Sequence, residues 1–436
     1  MLQNHPKGLK PLFFTEMWER FGFYGMRALL TLYMITAVSA GGLGWSNGFS
    51  LNIYAWYLGL AYFTTILGGW VADRFWGQRR SVVFGGLLMA LGYFLLAIKG
   101  TNTFFIGLSC VALGNGFFKP CLTSILGCLY KKDSSYRDSG YAIFYMGINL
   151  GGLLAPFICG YFQEIGGFET GFIIAGIGML VGLATFLRGQ QKGAFEMVGL
   201  KPQKVDKKAL SEKPLTSLEK NRLVVVCIWS ILIIAFFMAF EQAGGLLSVY
   251  AKEYTRRTFM GFEINAAYFQ SLNPFFIILV GPIMSVIWGK LGNLSLTIKF
   301  AFGFFLSAIA FGCMMLAAQE YQTTGSSSAF WLVLFNLLIT IGELCITPVL
   351  WSNVSKITPT RYLSFMMAVT LACVGIGCYL AGFVGSYVET FSTMEIFSGI
   401  GVVMVALGVI SLAINGKLKS LVEGGIKKKA KKPVLA

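Results

Sequence analysis

The sequence predicts an all-α, polytopic membrane protein, and three observations carry that prediction. Of the 436 residues, 56% are hydrophobic and only 12% are charged, with a mean hydropathy of +0.69, whereas a water-soluble domain has close to a quarter of its residues charged. The apolar stretches, such as IIAGIGMLVGLATFL and LVVVCIWSILIIAFFMAF, are continuous runs. Ten-residue alternations, the mark of a transmembrane barrel, are absent from them. Finally, the basic residues between the runs are distributed very unevenly over alternate loops.

With about 20 apolar residues per crossing, the chain has room for roughly a dozen spans, which excludes a single-span receptor. Apolar runs fall at about 12–38, 47–71, 79–98, 102–130, 138–163, 169–187, 222–250, 262–289, 295–318, 327–354, 362–387 and 391–414. Of the 35 Lys and Arg residues, 28 lie in the two termini and the loops after even-numbered spans, four in the opposite loops and three within spans. This asymmetry predicts twelve spans with both termini cytoplasmic. Lys252, Arg256 and Arg257, after span seven, are the exception. The net charge of +16 is thereby topological, and no nucleic-acid partner is implied. Glu16, Glu19 and Arg20 interrupt the first apolar run before any small-residue cleavage site, so the N-terminus is expected to be retained.

The Lys-rich stretch 189–221, with Pro202 and Pro214, reads as a flexible cytoplasmic linker. It separates a six-helix N-terminal bundle, 1–188, from a six-helix C-terminal bundle, 222–416, and a basic cytoplasmic tail follows at 417–436. The nine cysteines sit in or beside apolar runs and read as small core residues. With no CxxC pair and one histidine, His5, no disulfide framework, metal site or cofactor is expected.

Seven charges lie inside spans: Glu16, Glu19, Arg20, Arg27, Lys119, Glu241 and Glu343. Each costs about 2.5–3.5 kcal/mol at a helix centre on insertion scales, so such residues are expected to face an aqueous cavity and pair with one another. Four acids against three bases leave one excess negative charge, which a single proton would neutralise. Glu16, Glu19, Arg20, Phe23, Tyr24 and Arg27 share one helical stripe about 16 Å long. Spans four and ten occupy equivalent places in the two halves; one carries Lys119 beside Pro120 and the other Glu343 before Pro348. A gating ion pair between them that forms and breaks is the expectation. In the loop GGWVADRFWGQRR, Asp73 can pair with Arg74, Arg79 or Arg80.

Taken together, EMWERFGFYGMR in span one, GGWVADR and GQRR after span two, GNGFFKP in span four and FYMGINLG in span five resemble the signatures of the proton-dependent oligopeptide transporter family of the major facilitator superfamily. FEQAG, QSLNP and GELCITP in spans seven, eight and ten look like its C-terminal elements, and six plus six spans about a central loop is its layout. The resemblance implies that Glu16, Glu19 and Arg20 form a proton-linked cluster. It implies that Arg27 and Lys119 receive a peptide carboxylate, and that Glu343 binds the peptide amino terminus and pairs with Lys119. Tyr24, Tyr62, Asn149 and Asn273 match positions that hydrogen-bond the peptide backbone, and Tyr145 and Trp351 match walls of the pocket. Glu241, Glu253, Asp73 and Arg74 fall at gating positions.

This sequence also departs from the family pattern. Phe23 replaces a signature tyrosine, which removes a hydroxyl contact expected to reach substrate. Asn47 stands where the arginine partner of Glu253 is expected, and the histidines of animal members are missing. The resemblance implies a proton-coupled symporter of di- and tripeptides in the bacterial inner membrane, with protons as coupling ion, the lipid bilayer as surroundings and a monomer as sufficient unit. The same fold moving another small zwitterion or anion, such as a modified amino acid or nitrate, is the alternative. A membrane-embedded enzyme is disfavoured, because no nucleophile–base pair is present.

Overall fold

The computed structural model describes residues 5–130, 136–200, 215–290, 294–359 and 362–423. Most of the charged linker, the terminal KKKAKK run, Lys131, Lys132 and Arg361 lie outside the described residues. The helices are α1 (Leu9–Ile35), α2 (Asn47–Val71), α3 (Gln78–Leu96), α4 (Thr101–Leu129), α5 (Arg137–Gln191), α6 (Ser217–Phe240), α7 (Leu246–Glu253), α8 (Leu272–Lys290), α9 (Leu296–Thr324), α10 (Ala329–Ile357), α11 (Leu363–Gly385) and α12 (Thr393–Glu423).

Nine helical stretches among the described residues are long and apolar enough to cross a membrane. They differ from the expected runs for physical reasons. Charged residues between Glu16 and Arg27 make α1 too polar to qualify, and Tyr, Trp and Thr dilute α2. The fifth and sixth runs are two helices that meet at a kink within α5, at Gly167 (φ 80°, ψ 174°), a positive-φ conformation that glycine adopts without a Cβ penalty. Span seven, expected as one run, is split into α6 and α7 by the turn Glu241–Ala243 and Gly244–Gly245.

A close approach requires glycine at the first of these two positions. A Cβ at Gly244 would stand 2.0 Å from the Tyr54 hydroxyl and 2.5 Å from the Arg27 guanidinium, and the Gly244 carbonyl accepts from Thr31 Oγ1 at 3.1 Å. Within the first half, α4 packs at backbone distance: a Cβ at Gly116 would lie 2.6 Å from Thr64 of α2, and one at Gly114 2.6 Å from the Gly85 carbonyl of α3.

Part of the expected linker is folded structure. Helix α5 continues to Gln191, and residues 192–200 fold back as a strap whose Phe195 is fully buried and stacks on Phe186. Arg79 holds the strap by donating to the carbonyls of Phe195 (2.9 Å), Glu196 (2.6 Å) and Val198 (2.6 Å). The strap carbonyls thus take Arg79, one of the three arginines within the expected reach of Asp73. At the far side of the linker, α6 begins at a capping box formed by Thr216 and Glu219.

Hydrogen bonds and ion pairs between the two halves gather in the part of the molecule remote from both termini. There Lys252 donates to Thr36 (2.5 Å), Asn47 to Glu253 (2.9 Å), Gly48 N–H to Glu389 (2.9 Å) and Asn265 to Gln163 (2.9 Å). Lys252 therefore has a structural partner, and Arg257 has another in Glu263 at 2.8 Å, which accounts for two of the three basic residues that break the charge asymmetry.

Candidate functional site

The largest group of charged side chains between the halves surrounds a cavity of about 330 Å³, in the range of small-ligand sites. Helix α1 supplies Glu16, Arg20, Tyr24 and Arg27 to its wall at helical spacing. Glu19 and Phe23, expected on the same stripe, do not line the cavity. Glu19 is fully buried and pairs with the Arg20 guanidinium through both oxygens. Phe23 is buried against Tyr57 and lies under the Arg20 guanidinium at 4.7 Å. The expectation that Phe23 removes a contact to substrate is therefore corrected, since this ring faces an arginine within the bundle.

Arg20 also faces Glu16 at 3.6 Å and donates to Asn115 at 3.2 Å. Glu16 keeps one oxygen, Oε2, buried and unpartnered among the described residues, so this carboxylate has capacity left for a proton or a ligand. Arg27 is held between the halves. It donates from Nε to the Tyr54 hydroxyl at 2.8 Å and from Nη2 to Glu241 Oε2 at 2.6 Å. Tyr24 lies between the two arginines, its ring 5.9 Å from Arg20 and 5.8 Å from Arg27.

The opposite wall belongs to the C-terminal half. Asn273 of α8 donates to Glu343 at 3.0 Å and to Thr340 at 2.9 Å, fixing the carboxylate from a neighbouring helix. Lys119 is not paired with Glu343 here; its ammonium lies 5.4 Å over the Tyr62 ring. None of the ion pairs among the described residues uses Lys119 or Glu343. Asn149, Tyr145 and Trp351 line the same cavity. Thr347, also in the lining, has an unpartnered buried hydroxyl among the described residues.

The remaining gating candidates lie elsewhere. Glu253 is paired with Asn47, so the amide takes the place of the expected arginine. Arg74 lies over the Trp70 and Phe75 rings at 5.9 and 6.0 Å. Burial raises the Asp73 carboxyl above its usual range, and a hydrogen bond with Gln78 partly opposes this. Asp73 makes no ion pair with Arg74, Arg79 or Arg80 among the described residues.

Three residues of the site escape a reading of the sequence. Tyr54 and Thr340 are ordinary polar residues of apolar runs, and only the fold brings them to Arg27 and Asn273. Asn115 stands inside the quoted run GNGFFKP, where the glycines, lysine and proline draw attention and the amide does not.

The model of the POT family matches this chain over residues 79–209 and 196–406. An uncharacterized transporter of Bacillus subtilis is 34% identical, over 97% of this chain and 96% of that protein. A peptide transporter of Yersinia enterocolitica is 33% identical over 88% of both. Among solved structures, a variant of the peptide transporter POT in complex with sulfate superposes with a TM-score of 0.89 at 32% identity, covering 97% of this chain and 96% of that one. A POT family transporter in complex with 5-aminolevulinic acid also gives 0.89, at 30% identity and 96% and 98% coverage. The chain is a transporter rather than an enzyme, an integral multi-pass protein of the bacterial inner membrane. It belongs to the POT family of proton-dependent oligopeptide transporters and has the major facilitator superfamily fold.

Proposed function

We propose that the protein imports di- and tripeptides in symport with protons by alternating access. The observation that carries this reading is the polarity of the cavity. Cations on the N-terminal half, Lys119 and Arg27, face a carboxylate on the C-terminal half, Glu343, which matches the two ends of a zwitterionic peptide. Asn149, Asn273, Tyr24 and Tyr62 supply donors and acceptors for a peptide backbone between them. The di- and tripeptide permeases among the relatives support this substrate class.

In this mechanism twelve spans cross the bilayer with both termini cytoplasmic, and the contacts of Asn47, Gly48, Thr36 and Gln163 close the external end. An arriving peptide carboxylate competes with Glu241 for Arg27, and Glu16 beside Arg20 takes up the coupling proton. Glu343 holds the amino terminus until Lys119 takes its place. Protons are the coupling ion, no other cofactor takes part, and one monomer in the bilayer suffices. One proton moving down about 100 mV contributes about 2.3 kcal/mol, and one pH unit about 1.4. Together they support accumulation of roughly several-hundred-fold.

Uptake of labelled dialanine into proteoliposomes, with the pH and voltage gradients imposed separately, tests this reading. Accumulation that responds to both is expected; uptake indifferent to both overturns it. The second reading, a small zwitterion other than a peptide, is favoured by the similar structure that holds 5-aminolevulinic acid. Competition of dialanine uptake by that compound separates the two.

A further inference from the structure

Among the groups around Arg20, one has a pull that does not change with pH. Asn115 is 5% exposed. Its Oδ1 accepts from Arg20 Nη2 at 3.2 Å, and its Nδ2 donates to the Ala61 carbonyl of α2 at 3.1 Å. The flanking Gly114 and Gly116 press α4 onto the backbones of α3 and α2, so the amide cannot follow the arginine if the arginine moves. Arg20 is thus shared among Glu19, which is buried and fully engaged with it, Asn115, and Glu16 at the longer distance of 3.6 Å. Of these three partners, Glu16 alone lines the cavity.

We propose that Asn115 is a positioning residue that restrains Arg20 from Glu16 and thereby sets the pH at which Glu16 accepts its proton. This rests on the proton-coupled reading of the site. The other titratable groups around the cluster are Tyr24 from α1, 5.9 Å from Arg20, Tyr57 from α2 against Phe23, Tyr93 from α3 against Gly22, and Lys119 from α4, one helical turn after Asn115. Asn115→Ala and Asn115→Thr bring no new charge to any of them, whereas a carboxylate at this position also attracts Lys119. Without the amide, Arg20 leans on Glu16 and holds it ionised, so more acid is needed. A carboxylate in its place draws Arg20 away and adds a negative charge near Glu16; both effects make Glu16 easier to protonate.

The test is the external pH at half-maximal dialanine uptake into proteoliposomes, with gradient-free counterflow as control. Asn115→Ala is expected to move the midpoint to lower pH by about half a unit or more, and Asn115→Asp to move it to higher pH by a similar amount. Asn115→Thr, whose hydroxyl can both donate and accept, is expected to keep the wild-type midpoint. If Asn115→Ala does not fold, the comparison of Asn115→Asp with Asn115→Thr carries the test. Shifts of the same sign, or lowered rates at an unmoved midpoint, overturn the proposal. Wild-type uptake independent of pH overturns instead the reading on which it rests.

Discussion

Glu389, at the end of the turn that follows α11, accepts the backbone N–H of Gly48 in the first turn of α2, at 2.9 Å. One half of the molecule therefore caps a helix of the other. The first N–H groups of a helix have no partner within it, and a carboxylate there meets the positive end of its dipole. Ser46, the N-cap of α2, supplies its own hydroxyl to Phe49 N–H, so Glu389 adds a second acceptor from across the interface. The position must be glycine: a Cβ at Gly48 would lie 2.7 Å from the Ser386 carbonyl and 3.0 Å from Glu389. With Asn47 bonded to Glu253, α2 presents its N-terminus to two carboxylates of the C-terminal half, and no arginine is needed. Loss of a cap costs about 0.5–2 kcal/mol. Glu389→Ala is therefore expected to shift the carrier toward the form open at this end by about two- to thirtyfold, and Gly48→Ala to act in the same direction. Distances between spin labels at the outer ends of α2 and α11 report this; an unchanged distribution in both variants refutes the gating role.

Arg27 and Glu241 form a buried pair between the halves at 2.6 Å, and breaking it from either side has different consequences. Arg27→Ala leaves a carboxylate without its cation in a closed site, a loss that costs about 3–5 kcal/mol for a well-buried pair; a lowered melting temperature in detergent and lost peptide binding are expected. Glu241→Gln keeps the shape and frees Arg27 for a ligand carboxylate. Dialanine binding by calorimetry should persist in that variant while gradient-driven accumulation falls. Binding lost as completely as with Arg27→Ala refutes the assigned competition.

The class of fold and most of the cavity are legible in the sequence because both rest on local rules. Apolar length marks a span, and a charge such as Arg27 or Glu343 inside one has to face a cavity. Partners are less legible, because they depend on which helices meet. Glu241 reads as a gating acid, but its partner Arg27, itself bonded to Tyr54, is seen only once the turn between α6 and α7 is placed. Phe23 reads as a substrate position by its place in a signature, yet the neighbouring row of α1 turns it toward Tyr57. The stretch 189–221 reads as linker by composition, although Phe195 provides enough apolar surface, and Arg79 enough donors, to dock its first part.

That strap gives a third prediction. The planar fork of Arg79 reaches three carbonyls of the chain between Phe195 and Val198, and a lysine ammonium cannot reproduce the arrangement. Arg79→Lys is expected to expose the segment, so that trypsin cuts at Lys192 faster than in the wild type while cleavage at Lys99, on another loop, keeps its rate. Equal rates at Lys192 in the two proteins refute the latch.

Glu343 carries the last and sharpest prediction. Its carboxylate is fixed by Asn273 at 3.0 Å and makes no ion pair among the described residues, while Lys119 rests over Tyr62. Two partners are thus available to it in the cycle, a peptide amino terminus and Lys119, and both require the ionised form. Glu343→Gln keeps the size and can still hydrogen-bond Asn273, but it offers no charge to either partner. Gradient-driven dialanine accumulation is expected to fall by at least tenfold, the value of about 1.4 kcal/mol of lost interaction. Exchange of internal for external peptide, which needs no net proton movement, should fall less. Wild-type accumulation in the variant refutes a role for this carboxylate in coupling. Equal loss of both activities assigns Glu343 to binding alone.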